Sequence, residues 1–167
     1  MNLIQYIYQY NPNHVLFCEP IRNTILNKGS FVRILYSTSY FSLNGIYLHV
    51  LLHKLTIEKY YNKCKGYFNV SNHQVIIEKI RTIEEQILHK YNIHTKTPQY
   101  KIYEQMCNGF FFCDNLEHSN ENVILKISGI WENEKQYGLT YKFYKPTIGS
   151  TSSDGFSSSG GFNTRSF

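Results

Sequence analysis

The chain lacks the residues and motifs on which most enzymes depend. It contains no alanine and only two aspartates, Asp114 and Asp154, whereas a two-metal nuclease or polymerase needs clustered carboxylates. It also has no P-loop and no GxGxxG, GxSxG or HExxH motif. A cysteine nucleophile with a distant histidine base stays open, because sequence alone does not show which residues meet in space. We therefore expect a protein that is not an enzyme and needs no cofactor.

Cysteine pairs at metal-binding spacing are also missing. The four cysteines, Cys18, Cys64, Cys107 and Cys113, are scattered along the chain and form no CxxC motif. This pattern favours buried free thiols in a reducing compartment. A zinc site built from Cys107, Cys113 and a histidine is the alternative, although its spacing differs from that of a standard zinc knuckle. We expect no bound metal.

Long apolar runs and a leader-like start are absent as well. No stretch is apolar enough to span a membrane, and residues 1–10 lack the basic start and apolar core of a signal peptide. The sequence therefore predicts a soluble, intracellular protein without a membrane partner. The missing alanine, combined with abundant Asn, Ile, Lys and Tyr, indicates an AT-rich genome such as some viruses and protists have, because alanine codons are GC-rich.

Aromatic residues and positive charge are what the chain has in excess. Aromatic residues make up 16% of the 167 residues, 15 of them are tyrosines, and the formal net charge is +5. This combination favours an anionic partner such as nucleic acid, and ordinary solubility charge is the alternative explanation.

The most informative stretch is NVILKISGIWENEKQYGLTYKFYKP, residues 122–146. It predicts two strands joined by the polar turn 132–136, with the single tryptophan, Trp131, where the first strand meets the turn. Lys126, Lys142 and Tyr144 place cations and rings on the same hairpin, which suits a flat, anionic ligand such as unpaired nucleic acid. The alternative is a core hairpin anchored by its tryptophan, since burial is the commoner role of aromatic residues.

Three earlier segments also predict strands, namely 31–36, 46–55 and 63–70. Arg33 lies on the apolar face of the first, where it can pair with a phosphate or sit at an edge with its head in water. Tyr47 lies on the second. Lys63, Lys65 and Tyr67 form one polar face of the third, which is suited to phosphates and a base or is simply solvated.

The rest of the chain contributes one clear helix and weaker strand patterns. Isoleucines at helical spacing predict a helix over residues 72–92, with Ser71 and Gln74 as a capping box and Asn92 as a left-handed end. Residues 99–106 and 109–113 predict further strands.

This order of elements predicts an α+β fold that is mainly antiparallel. Strands, one helix inserted after the third long strand, and further strands describe a partly open, OB-like barrel. We expect a single globular domain over residues 1–146. Residues 147–167 are rich in glycine and serine and predict a flexible tail.

Several runs resemble viral proteins. KISGIWENEKQYGLTYKF is similar to the closing strands of single-stranded-DNA-binding proteins of large DNA viruses and some phages, in which a strand ending in tryptophan precedes a glycine-initiated strand with basic and apolar residues in alternation. EPIRNTI, FVRILYST and FSLNGIYL resemble a small conserved protein of nucleo-cytoplasmic large DNA viruses, a likeness that extends over residues 14–146. The viral binding proteins usually end in an acidic tail capped by an aromatic residue, whereas this tail ends in Phe167 and carries only Asp154 against Arg165.

The resemblance and the residues together lead to one expectation and one competitor. We expect a protein of a large DNA virus that binds single-stranded DNA, or RNA, during replication, repair or genome packaging. The competitor is a structural virion protein, a minor capsid or core component whose rings contact another protein. Either would act in the host cytoplasm or the virion, would recruit viral proteins through the tail and is compatible with a homo-oligomer. The expected nucleic-acid-binding residues are Arg33, Tyr47, Lys63, Lys65, Tyr67, Lys126, Trp131, Lys142 and Tyr144.

Overall fold

The computed structural model describes residues 3–23, 29–113 and 122–144. These residues contain twelve strands and two α-helices, together with short 3-10 turns. The strands are β1 (Gln5–Tyr6), β2 (Val15–Phe17), β3 (Ile21–Asn23), β4 (Gly29–Ser37), β5 (Ser42–Leu43), β6 (Ile46–Leu51), β7 (Thr56–Tyr60), β8 (Lys63–Tyr67), β9 (Thr97–Gln99), β10 (Phe110–Cys113), β11 (Asn122–Glu132) and β12 (Gln136–Tyr144). The helices are α1 (Gln74–Tyr91) and α2 (Lys101–Cys107).

One mixed sheet organises the described residues. Its main path runs β1–β6–β11–β12–β10–β8–β7, so the two long strands β11 and β12 lie at the centre. Most neighbours are antiparallel, and the parallel pairs are β1 with β6, β9 with β12 and β10 with β12. Along one edge of β11, its first half pairs with β6 and its second half with β4. The path ends at β1 and β7 and does not close into a barrel.

The core lies on one face of this sheet. Alternate residues of the central strands point into it, including Leu125 and Ile127 of β11 and Leu139 and Phe143 of β12. Helix α1 covers this face with Ile77, Ile80, Ile83, Ile87 and Leu88, which recur at the spacing of one helix stripe. The side chains at the intervening strand positions therefore lie on the opposite face of the sheet.

The α+β class with mostly strands is confirmed, and several of the predicted elements need correction. Residues 99–106 are not a strand, because Ile102 and Met106 are buried one helical turn apart in α2. The capping box is also wrong, since α1 begins at Gln74 after a 3-10 turn and its N-cap, His73, makes no side-chain cap. Asn92 does end α1 with a positive φ of 39°. The predicted tail lies outside the described residues.

Two of the predicted strands are shorter than the sequence pattern indicates, and four strands, β3, β5, β7 and β9, were not predicted. β6 stops at Leu51 and β8 stops at Tyr67. The exposed segment Thr56–Tyr60 forms the edge strand β7 against β8. Strand β3, Ile21–Asn23, pairs with β4.

Candidate functional site

The outer face, the side of the sheet opposite the core, carries all nine residues predicted from the sequence to bind nucleic acid. Each alternates along its strand with core residues: Lys126 lies between Leu125 and Ile127, and Tyr47 lies between Ile46 and Leu48. The same alternation holds on β4, β8 and β12. The sheet therefore collects residues that lie far apart in sequence, although they do not all touch.

The centre of the outer face is a row of three side chains on adjacent strands. Tyr47 of β6 and Lys142 of β12 are the register partners of Lys126 on either side of β11. The Lys126 ammonium lies 5.0 Å from the centre of the Tyr47 ring, and the Lys142 ammonium lies 5.7 Å from that of Tyr144. These distances are within the range of cation–π attraction, which holds a cation beside each ring.

The next row on the outer face has an apolar residue, Ile124, at its centre. Ile124 is paired with His49 on one side and Tyr144 on the other. Its side chain is only 1% exposed although it is not part of the core cluster, so its neighbours on the outer face cover it. Burial, assisted by the nearby Tyr47 phenol, raises the pKa of Tyr144 to about 12. The Tyr144 hydroxyl is therefore protonated and uncharged at neutral pH.

A second group surrounds Lys65 on β8. Its ammonium lies 4.8 Å from the centre of the Tyr67 ring, 4.1 Å from Phe110 and 5.7 Å from Phe112. Phe110 and Phe112 come from β10, where they are the register partners of Tyr67 and Lys65. Three rings around one ammonium place the cation beside flat, apolar surfaces.

A pocket joins the two groups. Within the described residues, strands β10 and β12 pair at Cys113 and Phe143 alone, and a cavity of about 220 Å³ lies beside this pair. Lys63, Phe112 and Lys142 are among the residues that line it. At a strand spacing of about 4.8 Å, Tyr47 and Lys65 are four strands apart, or about 19 Å. Cations and rings thus extend across the central sheet.

Arg33 and Trp131 form a separate outlying group. Trp131 is paired with Phe31 on one side and Gly138 on the other, while Arg33 is opposite Gly129. The half-buried Trp131 ring lies against Gly138, because a Cβ built there would come within 2.9 Å of the indole. Five residues of β11, about 16 Å, separate Trp131 from Lys126. A ligand that touches both groups has to follow the length of β11.

None of the basic residues of the outer face forms an ion pair with another described residue. In the described residues, the ion pairs involve Arg81, Lys96 and Lys101, which all lie elsewhere. One carboxylate, Glu58, is the register partner of Lys65 on the edge strand. The outer face therefore combines excess positive charge with half-buried rings.

Sequence reasoning missed four residues of this site, namely His49, Phe110, Phe112 and Ile124. His49 alternates with apolar residues along β6 as Tyr47 does, and this signal is visible in the sequence. The two phenylalanines sit in the run GFFFC, where both alternating sets are apolar and neither face can be identified from the pattern. Ile124 is an apolar residue on an otherwise polar face, and only its pairing shows what covers it.

A larger groove of about 780 Å³ lies beside the outer face. It is lined by Tyr6, Tyr8, Val75 and Ile76, among others, between β1, β6 and the start of α1. Tyr6 stacks on Tyr8 with ring centres 5.6 Å apart and meets the edge of His49 at 5.2 Å. The groove is mainly apolar and is therefore suited to contacts with apolar groups rather than to phosphates.

The part of the chain that the structure describes contains neither a metal-binding cluster nor a membrane-spanning helix. No group of three or more His, Cys, Asp or Glu side chains there could hold a metal ion. None of the described helices combines the length and the apolar character needed to cross a membrane.

Comparison with known proteins gives no match. No family model, curated protein or solved structure matches this chain.

Proposed function

We propose that the protein binds single-stranded nucleic acid along the outer face and that it is not an enzyme. The observation that carries this proposal is the row Tyr47–Lys126–Lys142 with its extension to Lys65, because it places cations and rings side by side on one surface. Stacking of bases on aromatic side chains, combined with neutralised phosphates, is the general mode of sequence-tolerant single-strand binding.

In this proposal the two kinds of side chain have separate tasks. Tyr47, Tyr67, Trp131 and Tyr144 stack on bases, each contributing about 1–3 kcal/mol. Arg33, Lys63, Lys65, Lys126 and Lys142 neutralise phosphates. Because Lys65, Lys126 and Lys142 are held close to rings and Lys63 lines the pocket, one nucleotide can contact both kinds of group.

The proposal also includes a finer description. The sheet would be OB-like, and the protein would belong to a large DNA virus and act on its genome during replication, repair or packaging. The support is the resemblance of KISGIWENEKQYGLTYKF to viral and phage binding proteins, and the position of α1 between the early and late strands.

The test is binding to a fluorescent single-stranded oligonucleotide across a series of salt concentrations. Five phosphate contacts would give a slope of log K against log salt of about −3.5, at about −0.7 for each contact. Lys126→Gln would change the slope to about −2.8. The matched control is Lys79→Gln on α1, which should leave the slope unchanged.

Other results of this binding experiment would lead to different conclusions. No binding, or binding independent of salt, would refute the proposal. Equal slopes for the two lysine variants would place the contacts elsewhere. Comparison of DNA with RNA oligonucleotides of one sequence would show which nucleic acid is preferred.

The second candidate is a structural virion protein, and the 780 Å³ groove favours it. Val75 and Tyr8, at the groove, are 85% and 73% exposed, which is typical of surfaces that contact another protein. Val75→Asp would weaken such an assembly while leaving oligonucleotide binding unchanged.

A further inference from the structure

The pocket between β10 and β12 results from a change of neighbour along one strand. Residues 136–138 of β12 pair with β9, and Phe143 pairs with β10. No register partner lies on that side for residues 139–142 within the described chain. The sheet is therefore split at this point, and the cavity of about 220 Å³ occupies the split.

The rim and the walls of this pocket differ in chemistry. Lys63, Lys142 and Phe112 belong to the outer face, so the pocket opens on that side. Gln105 of α2 and Tyr141, which alternates with the outer-face residues of β12, form a wall on the core side. The pocket thus has cations and a ring at its mouth and hydrogen-bonding groups inside.

The hydrogen bonds of the wall leave one group uncommitted. The Tyr141 hydroxyl donates to Gln105 Oε1 at 2.6 Å and lies 3.3 Å from the Lys101 carbonyl oxygen. Gln105 makes this one side-chain hydrogen bond among the described residues, so its amide N–H groups have no partner there. Burial, with nearby Glu84 and Glu104, raises the pKa of Tyr141 to about 12, so the wall is polar but uncharged at neutral pH.

The size of the pocket limits what can enter it. Sites for drug-sized ligands are about 300–1,000 Å³, and this pocket is smaller. A single planar heterocycle with hydrogen-bonding edges matches the volume, the Phe112 ring and the free amide. The two lysines at the mouth match the phosphates on either side of such a base.

We propose that this pocket receives one unstacked base of the bound strand, with Gln105 donating to an oxygen or ring nitrogen on the edge of that base. This inference rests on the proposed function and deepens it, because it divides the site into a stacking surface and a single base pocket. A base in the pocket is read by its edge, whereas bases on the open face are held mainly by their flat sides.

The experiment is photo-cross-linking with single-stranded DNA that carries 5-iodouracil, followed by mapping of the modified peptides. We expect cross-links at Tyr141 in addition to those on the outer face. Tyr141 is the informative residue because it lines the pocket from the core side of β12, whereas Tyr47, Trp131 and Tyr144 lie on the outer face. Cross-links on Tyr47, Trp131 or Tyr144 without any on Tyr141 would overturn the inference and leave the proposed function standing.

Two substitutions at one position make the test sharper. Gln105→Trp fills the pocket and should abolish the Tyr141 cross-link and lower affinity about 5- to 150-fold, the range of one base–aromatic contact. Gln105→Leu keeps the volume and removes the hydrogen bond, so the cross-link should remain while preference among bases is lost. The control is Gln86→Trp, an exposed position on α1, and thermal unfolding establishes that each variant is folded.

The remaining outcomes are also decisive. Unchanged affinity and an unchanged cross-link in Gln105→Trp would overturn the base pocket alone. Absence of all cross-links, with no salt-dependent binding by the unaltered protein, would refute the proposed function itself and the base pocket with it.

Discussion

Changing Glu84 to glutamine should remove the part of the pH dependence of the free energy of unfolding that comes from this buried carboxyl group. Glu84 lies on α1 with no exposed surface. Its two carboxylate oxygens accept the backbone N–H groups of Ile102 at 3.1 Å and Tyr103 at 2.9 Å, which joins α1 to the start of α2. Burial raises the pKa of Glu84 to about 7, although these two hydrogen bonds act in the opposite direction.

The sign of the effect follows from where the proton is held. The folded protein keeps the Glu84 proton up to about pH 7, whereas the unfolded chain releases it near its ordinary pKa of 4.5. The stabilising contribution is therefore fully present below pH 4.5 and is lost as the pH rises through 7. A shift of about 2.5 pH units corresponds to about 3 kcal/mol in total, of which about 2.5 kcal/mol is lost between pH 5 and pH 8.

Urea denaturation of both proteins at several pH values measures this contribution. The free energy of unfolding of the unaltered protein, minus that of Glu84→Gln, should fall by about 2.5 kcal/mol from pH 5 to pH 8. Taking the difference cancels the histidines, which titrate in both proteins. A difference that stays constant with pH would refute the reasoning, and one that grows with pH would show that the backbone donors outweigh burial.

Three further substitutions test other parts of the structure. Gly129→Ala should lower the free energy of unfolding by about 1–3 kcal/mol, because the new Cβ would collide with the Val32 carbonyl oxygen and approach the Phe31 ring to 2.5 Å. Urea denaturation measures this loss, and Ser128→Ala is the control. Lys90→Met should cost about 1.5–3 kcal/mol in the same assay, because the ammonium donates to the Pro12 and Val15 carbonyl oxygens at 2.9 and 2.7 Å; an unchanged midpoint would contradict it. Trp131→Ala should weaken oligonucleotide binding about 5- to 150-fold without unfolding the domain. The control is Tyr61→Ala, which changes a 91%-exposed ring and should leave binding unchanged. An unfolded Trp131→Ala protein would show that the indole is structural.

The sequence indicates which side of a strand each residue faces more clearly than it indicates which strands are adjacent in the sheet. Alternation along single strands was enough to place Lys142 and Lys65 on a polar side, because the period of a strand is local and is set by burial. Which strands are adjacent depends on register, which no single segment encodes. The contact of Lys65 with Phe110 and Phe112, some 45 residues later, could not be inferred for that reason.

Helix α2 shows a second limit. Its seven residues are too short for helical periodicity to outweigh a strand-like pattern, and short isolated helices are marginal in water. Part of what stabilises it comes from Glu84 on another helix, which satisfies two N–H groups at its start. A capping group supplied from a distant segment leaves no local sequence signal.

The two-sided alternation of β11 and β12 has a consequence for how the protein can change. Stability derives mainly from side chains that face α1, whereas the chemistry presented to a ligand derives from their immediate neighbours in sequence, which face away. Exchanging Lys126, Lys142 and Tyr47 together would leave nearly every packed contact of the interior in place. If the outer face binds nucleic acid as proposed, selection, or a designer, could therefore change the ligand specificity of this surface one position at a time while the fold persists.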